Sequence, residues 1–151
     1  MSHTTTIRAV PIRDTRALKS AVADLRAQGV KCELVENQKP RLYSQGQAND
    51  LGNCEYVLRL QESRYDVGFK KQADGSYAAV TDLWGGDVGK NIGARCPMPT
   101  TEEGRAQHGI GRLMQEYTKH ATLNYASDHG MMVENTTMDA AGQLVLTLGG
   151  F

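Results

Sequence analysis

YDVGFKKQADGSYAAVTDLW, residues 65–84, is the stretch whose reading decides the fold of this 151-residue chain. Tyr65, Val67 and Phe69 alternate onto one side of a first strand, and a second alternating run leads to Trp84. Between them stands Asp74-Gly75, the dipeptide that best supports the positive backbone angles of a tight hairpin turn. Strands joined so closely pair antiparallel, because parallel strands need a long crossover.

Reading outward, residues 55–61 carry Tyr56, Leu58 and Leu60 on one face and extend the hairpin into a meander. Residues 4–12 start with β-branched side chains, alternate through Ile7 and Val10, and read as a first strand ending near Pro11. Asp14 is placed to cap a helix running to about Gln28. Leu18, Ala21, Val22 and Leu25 share one face of it, Arg16, Lys19 and Arg26 point away, and Gly29 ends it. Residues 30–35 form a second strand. Residues 36–53 are polar, hold Pro40 and Gly46, and read as a long connection with a short strand at Leu42-Tyr43.

Residues 110–128 form the second helix, with a stripe of Ile110, Leu113, Met114, Tyr117, Ala121 and Tyr125, and Gly130 stops it. Residues 131–135 and 144–148 are two final strands, turning near Asp139 and Gly142. Residues 85–109 are glycine-rich without an apolar period and read as an irregular loop. Thr100 and Glu103 suggest a capping box there, although Gly104, Gly109 and Gly111 weaken any helix. The expected architecture is a single α+β domain over residues 1–151, in the order β-α-β-β-β-β-α-β-β. Two helices cover one face of a single, mainly antiparallel sheet.

Seventeen basic and seventeen acidic residues cancel, which argues against a dedicated nucleic-acid binder. At this length a domain buries roughly 68–70% of its unfolded surface without metal or disulfide support. Three widely spaced cysteines make neither a disulfide framework nor a paired zinc pattern and suit a reducing compartment. The start, MSHTTTIRAV, has no apolar signal region, and no apolar run approaches bilayer length. A cytoplasmic protein is expected.

No catalytic constellation emerges. In LWGGDVGKNIG, residues 83–93, three residues separate Gly85 from Gly89-Lys90, and Asn91 replaces the hydroxyl that a phosphate loop needs for magnesium. His3, His108, His120 and His129 show no zinc-protease spacing; His120 reads as a part-buried, hydrogen-bonded side chain and His129 as a complement to the helix dipole. Cys32 and Cys54 fall within strands and pack in the sheet, whereas Cys96 is the exposed thiol. Glu102-Glu103 suit a helix start better than paired-carboxylate chemistry.

The expected role is therefore a non-enzymatic accessory or adaptor protein that binds a partner protein or small ligand, with no cofactor and no metal. The candidate surface joins Trp84, Asp87, Lys90 and Arg95 to Tyr117 and His120 on the second helix. The rival role is binding of a nucleotide or phosphorylated metabolite, with Lys90 and Arg95 as the cations. A further alternative gathers Arg41, Lys70 and Lys71, beside Tyr43 and Tyr65, into a weak single-strand nucleic-acid platform.

Three segments together carry a family resemblance: MSHTTTIRAVPIRDTRALKSAVADL, YVLRLQESRYDVGFKKQADGSYAAVTDLW and IGRLMQEYTKHATLNYASDHGMMVE. They resemble the uncharacterised family named after the hypothetical chloroplast reading frame thirty-five, a domain of unknown function of cyanobacteria, algal plastids and their phages. The chain departs from that pattern between Gly85 and Gly109, where its connection is longer. The resemblance implies a protein of the cyanobacterial cytosol, plastid stroma or phage-infected host, working beside an AAA+ ATPase. It supplies no catalytic residue.

Overall fold

The computed structural model describes residues 4–43, 52–140 and 144–150. The elements run β1 (Thr5–Ile12), α1 (Thr15–Ala27), β2 (Cys32–Gln38), β3 (Cys54–Leu60), β4 (Val67–Lys71) and β5 (Tyr77–Thr81). A short 3-10 turn at Trp84–Gly86 precedes α2 (Asp87–Ile92), α3 (Glu102–Gly109) and α4 (Gly111–Asp128); β6 (Met131–Met138) and β7 (Leu144–Gly150) follow. β1 to β5 form one antiparallel sheet in the order β1-β5-β4-β3-β2, while among the described residues β6 and β7 pair only with each other. The α+β reading holds, and the strand pairing follows the central hairpin. The expected single sheet is corrected to two, because β6 and β7 leave α4 as a separate ribbon.

The hairpin turn is longer than Asp74-Gly75 alone. Gln72 and Ser76 close it through a 2.7 Å backbone bond, and the Gly75 N–H bonds the Gln72 carbonyl at 3.0 Å. Only Gly75 takes a positive φ, +86°, so the link is a three-residue turn with glycine at the left-handed position. Asp74 instead uses its carboxylate, accepting from the Ser76 N–H and hydroxyl at 3.0 and 2.6 Å.

Cross-strand registers build two apolar faces. On one, Leu34, Leu58, Val67 and Thr81 lie in a row, beside Tyr56, Phe69, Ala79 and Ile7. This face meets α1 and α4. Asp14 caps α1 by accepting from the Arg16 and Ala17 N–H groups, and Ala17, Leu18, Ala21, Val22 and Leu25 are buried. Ile110, Leu113 and Tyr117 supply the facing stripe of α4. Tyr125, expected in that stripe, is exposed and stacks on His129, whose Nδ1 donates to the Tyr125 carbonyl at 2.8 Å. His129 thus serves the helix terminus as its position implied.

On the reverse face Val57, Gly68 and Val80 form a row, with Cys54 and Ala78 also buried. Residues 39–43 lie against it; Leu42-Tyr43 is not a strand but part of this cover. A methyl group on Gly68 would meet the Cys54 Sγ at 2.9 Å and the Pro40 ring at 3.0 Å. Asp66, with no exposed surface, fixes the cover. Its carboxylate accepts from the Arg41 N–H at 2.9 Å, Arg41 Nη2 at 2.7 Å, Arg59 Nη1 at 2.6 Å and the Leu60 N–H at 3.3 Å. Burial by itself would raise this carboxyl, but Arg41, Arg59 and the backbone donors outweigh it and hold it below the usual range.

Asp66→Asn is expected to lower stability by roughly 2–4 kcal/mol, since both guanidiniums keep some solvent access. Because the folded carboxyl is depressed, its contribution is complete above the unfolded value of about 3.9 and disappears as pH falls through the lower folded value. Urea unfolding as a function of pH checks this: the wild type should lose more stability than the variant across that acid window. Gly68→Ala is expected to destabilise by about 1–3 kcal/mol through overpacking against Pro40 and Cys54, measured by the same unfolding curves.

Candidate functional site

The glycine-rich segment is ordered helix, which corrects the irregular loop expected over residues 85–109. Gly85 and Gly86 take φ values of +77° and +78°, a left-handed turn that swings the chain from Trp84 into α2. Val88 and Ile92, four residues apart, are fully buried and root this short helix in the core. Asp87 accepts from the Arg64 N–H at 3.0 Å and Nε at 2.7 Å, and these bonds bring its carboxyl down to about 2. The Arg64 guanidinium lies 5.1 Å from the Trp84 ring centre and 5.8 Å from that of Tyr65.

Thr101, not Thr100, caps α3, its hydroxyl accepting from the Gly104 N–H at 3.1 Å. The glycines that weaken helix propensity here serve close packing. A side chain on Gly109 would strike Leu83 at 2.6 Å, and one on Gly111 would strike Ala94 at 2.4 Å.

Between α2 and α3 this packing leaves a groove of about 580 Å³, within the usual range for ligand sites. Leu83, Met98 and Ala106 give it an apolar lining, and Lys90, Glu102, Arg105 and His108 line it as well. A second hollow of about 460 Å³ adjoins it along β1, sharing Thr5, Glu102 and Ala106. Among the described residues Lys90 has no hydrogen-bond or salt-bridge partner. Arg105 bonds the Pro99 carbonyl at 3.2 Å, and His108 Nε2 bonds that of Cys96 at 2.7 Å. A carbonyl only accepts, so Nε2 carries the proton there. The groove can hold an apolar group and meet an anion or carbonyl at its rim.

Trp84, Asp87 and Lys90 lie together at the α2 corner, and of the three Lys90 lines the groove. Arg95 is exposed between α2 and α3 and does not line the groove. Tyr117 and His120 belong elsewhere. Tyr117 is buried, and its hydroxyl accepts from the Arg13 and Asp14 N–H groups at 2.9 and 3.1 Å. Of the nucleic-acid set, Arg41 is committed to Asp66, Lys70 Nζ reaches the Asn53 carbonyl at 3.4 Å, and Lys71 is exposed at the end of β4. His3, Gly46 and Gly142 lie outside the described residues. Sequence reasoning missed Leu83, Met98, Arg105, Ala106 and His108; the Val88–Ile92 spacing was the available signal for α2.

Asp24, Glu116 and His120 bring three potential metal-ligand atoms within 4.8 Å of one another. A lysine already sits among them: Lys119 Nζ is 2.8 Å from Asp24 and 2.8 Å from Glu116. His120 Nε2 is 2.6 Å from Asp24. Burial pushes the Asp24 carboxyl up, but hydrogen bonds from Lys119 and His120 prevail and bring it to about 2. The cluster is an ionic staple between α1 and α4, with the ammonium in the place a cation would take. No helix among the described residues is long and apolar enough to cross a membrane.

Fold and site together define a small α+β protein with an apolar groove that Lys90, Arg105 and His108 also line. Residues 25–147 match the family described as a protein of unknown function (DUF1257), and the chain belongs to it. This agrees with the resemblance to an uncharacterised family, although the matched span begins after most of the opening segment that helped to carry it. No curated protein and no solved structure is significantly similar to the chain.

Since the Lys119 ammonium lies within ion-pair distance of both carboxylates, millimolar manganese is expected to leave the melting temperature unchanged. A metal-dependent rise, abolished by His120→Ala, would show that an ion displaces the ammonium.

Proposed function

We propose that this chain is a non-enzymatic accessory protein that holds a partner protein segment or small ligand in the α2–α3 groove. The observation that carries the reading is the pairing of an apolar lining with cations: among the described residues Lys90 has no hydrogen-bond or salt-bridge partner, although it acts on Asp87 through space, and Arg105 bonds the Pro99 carbonyl. Leu83, Met98 and Ala106 would receive an apolar group, while Lys90 and Arg105 would orient a carboxylate or phosphate beside it. Exposed Trp84, stacked on Arg64 at the same corner, adds residue types that concentrate binding energy at protein contacts. On the resemblance, the setting is a cyanobacterial, plastid or phage-infected cell, and an AAA+ ATPase is the first partner to try.

The rim cations also favour a second reading, a nucleotide or phosphorylated metabolite as the small ligand. Excision of residues 86–96 is not a usable test, because it removes Val88 and Ile92 from the core. Lys90→Glu and Met98→Asp alter exposed groove residues instead. In affinity purification from the native cell with mass spectrometry, both changes are expected to lower recovery of a specific partner about tenfold, with thermal unfolding unaltered. Calorimetric titration with a nucleotide panel addresses the second reading, which a flat trace at millimolar ligand would remove. Identical partner recovery by all variants would remove the first.

A further inference from the structure

The two sheets treat their edges differently. In β1 the pairing shifts between Ile7 and Ile12, which oppose Ala79 and Tyr77, so five steps of β1 face two of β5. That strand also contains Pro11, which offers no N–H. The other edge, β2, displays exposed Glu33 and Glu36 and bends at Asn37, whose φ is +54°. Bulges, prolines and charges are the usual devices that stop an edge from recruiting another strand.

The β6–β7 ribbon lacks them on one side. β7, LVLTLGG, has no charge and no proline. The irregularity in this pair lies on β6, between Val133 and Asn135. Across residues 131–150 the only charged side chains are Glu134 and Asp139, neither of them on β7. Met131, Met132, Met138 and Val145 remain 37–51% exposed. Among the described residues no third strand pairs with the ribbon and its neighbour is α4; a two-stranded ribbon is marginal alone in water and gains stability from further strands as well as from a helix.

We propose that the outer edge of β7 pairs antiparallel with β7 of a second copy, giving a four-stranded sheet across a two-fold axis. An edge paired with itself sets identical residues near one another, so any charge on it repels its own copy. The residues of β7 meet that condition, whereas β2 would oppose its glutamates and β6 carries the bulge. A foreign strand is commonly selected by charge or side-chain pockets beside the edge, and β7 has no charged residue of its own, the nearest carboxylate being that of Glu134, which lies over Gly149. The bulge disrupts β6, so the contact is isologous and closes at two copies.

Sedimentation velocity of the full chain over a concentration series tests this directly, together with hydrogen exchange of the β7 amides. The wild type is expected to dimerise reversibly, with β7 protection rising with concentration. Val145→Lys/Thr147→Lys places like charges across the axis and is expected to weaken dimerisation about tenfold or more, leaving protection of β4 and β5 unchanged. In case the lysines disturb the ribbon itself, Thr147→Cys in a Cys96→Ser background gives an independent reading at the middle residue of β7. It is expected to yield a disulfide-linked dimer on mild oxidation. A wild type monomeric at every concentration would overturn the proposal and leave the edge to a strand from a different protein. A dimer indifferent to the lysines, or a Thr147→Cys chain that stays uncrosslinked, would overturn it as well.

Discussion

Asp66 is the constraint on which the rest of this structure depends. A carboxylate taken wholly out of water costs several kcal/mol, and only dense pairing offsets that. Here two guanidiniums and two backbone N–H groups supply it. The Asp66 N–H also bonds the Arg41 carbonyl at 2.9 Å, and its own carbonyl accepts from the Thr81 hydroxyl at 2.8 Å. One residue thereby ties residues 39–43, the end of β3, the start of β4 and the end of β5. The gain is in specificity: few placements of residues 39–43 would leave this charge satisfied.

The same short link between β3 and β4 also positions the groove. Asp66 points inward, while Arg64, two residues earlier, reaches outward to Asp87 and lies over Trp84. Ser63 stiffens the link by donating to the Tyr65 carbonyl and accepting from its N–H at 2.7 and 3.1 Å. The α2 corner is therefore referenced to the sheet through a salt bridge at the surface and through Val88 and Ile92 beneath it. A groove wall only six residues long holds its place because it is fixed from both sides.

What was legible in the sequence divides along physical lines. The central hairpin, α1 and α4 were readable because each repeats its apolar period over many residues and ends in recognisable turn or cap chemistry. α2 was not, since Val88 and Ile92 are its only buried anchors among glycines and polar residues. α3 escaped for a different reason. Gly109 and Gly111 approach Leu83 and Ala94 by lacking a side chain, and contact of that kind leaves no hydrophobic signature. Tyr117 was legible as a buried position, but the two N–H groups its hydroxyl serves lie more than a hundred residues away. Asp66 has partners 25 and 7 residues distant, beyond any local pattern.

Net charge conceals a local polarity that matters more. Equal numbers of acids and bases suggest a surface with no preference, but the structure spends many of them on each other. Asp66 is consumed by Arg41 and Arg59, Asp87 by Arg64, and Asp24 and Glu116 by Lys119. A paired charge has little field left to offer a ligand, since its partner cancels it within a few ångströms. Around the groove Lys90 and Arg105 form no salt bridge among the described residues, although Lys90 acts on Asp87 through space and Glu102 shares the lining. Their field acts over an apolar floor, where low polarisability weakens screening and a carboxylate or phosphate would be held more firmly than on open surface. A globally neutral chain can therefore present a locally cationic site, and that asymmetry follows from which acids the fold has already used.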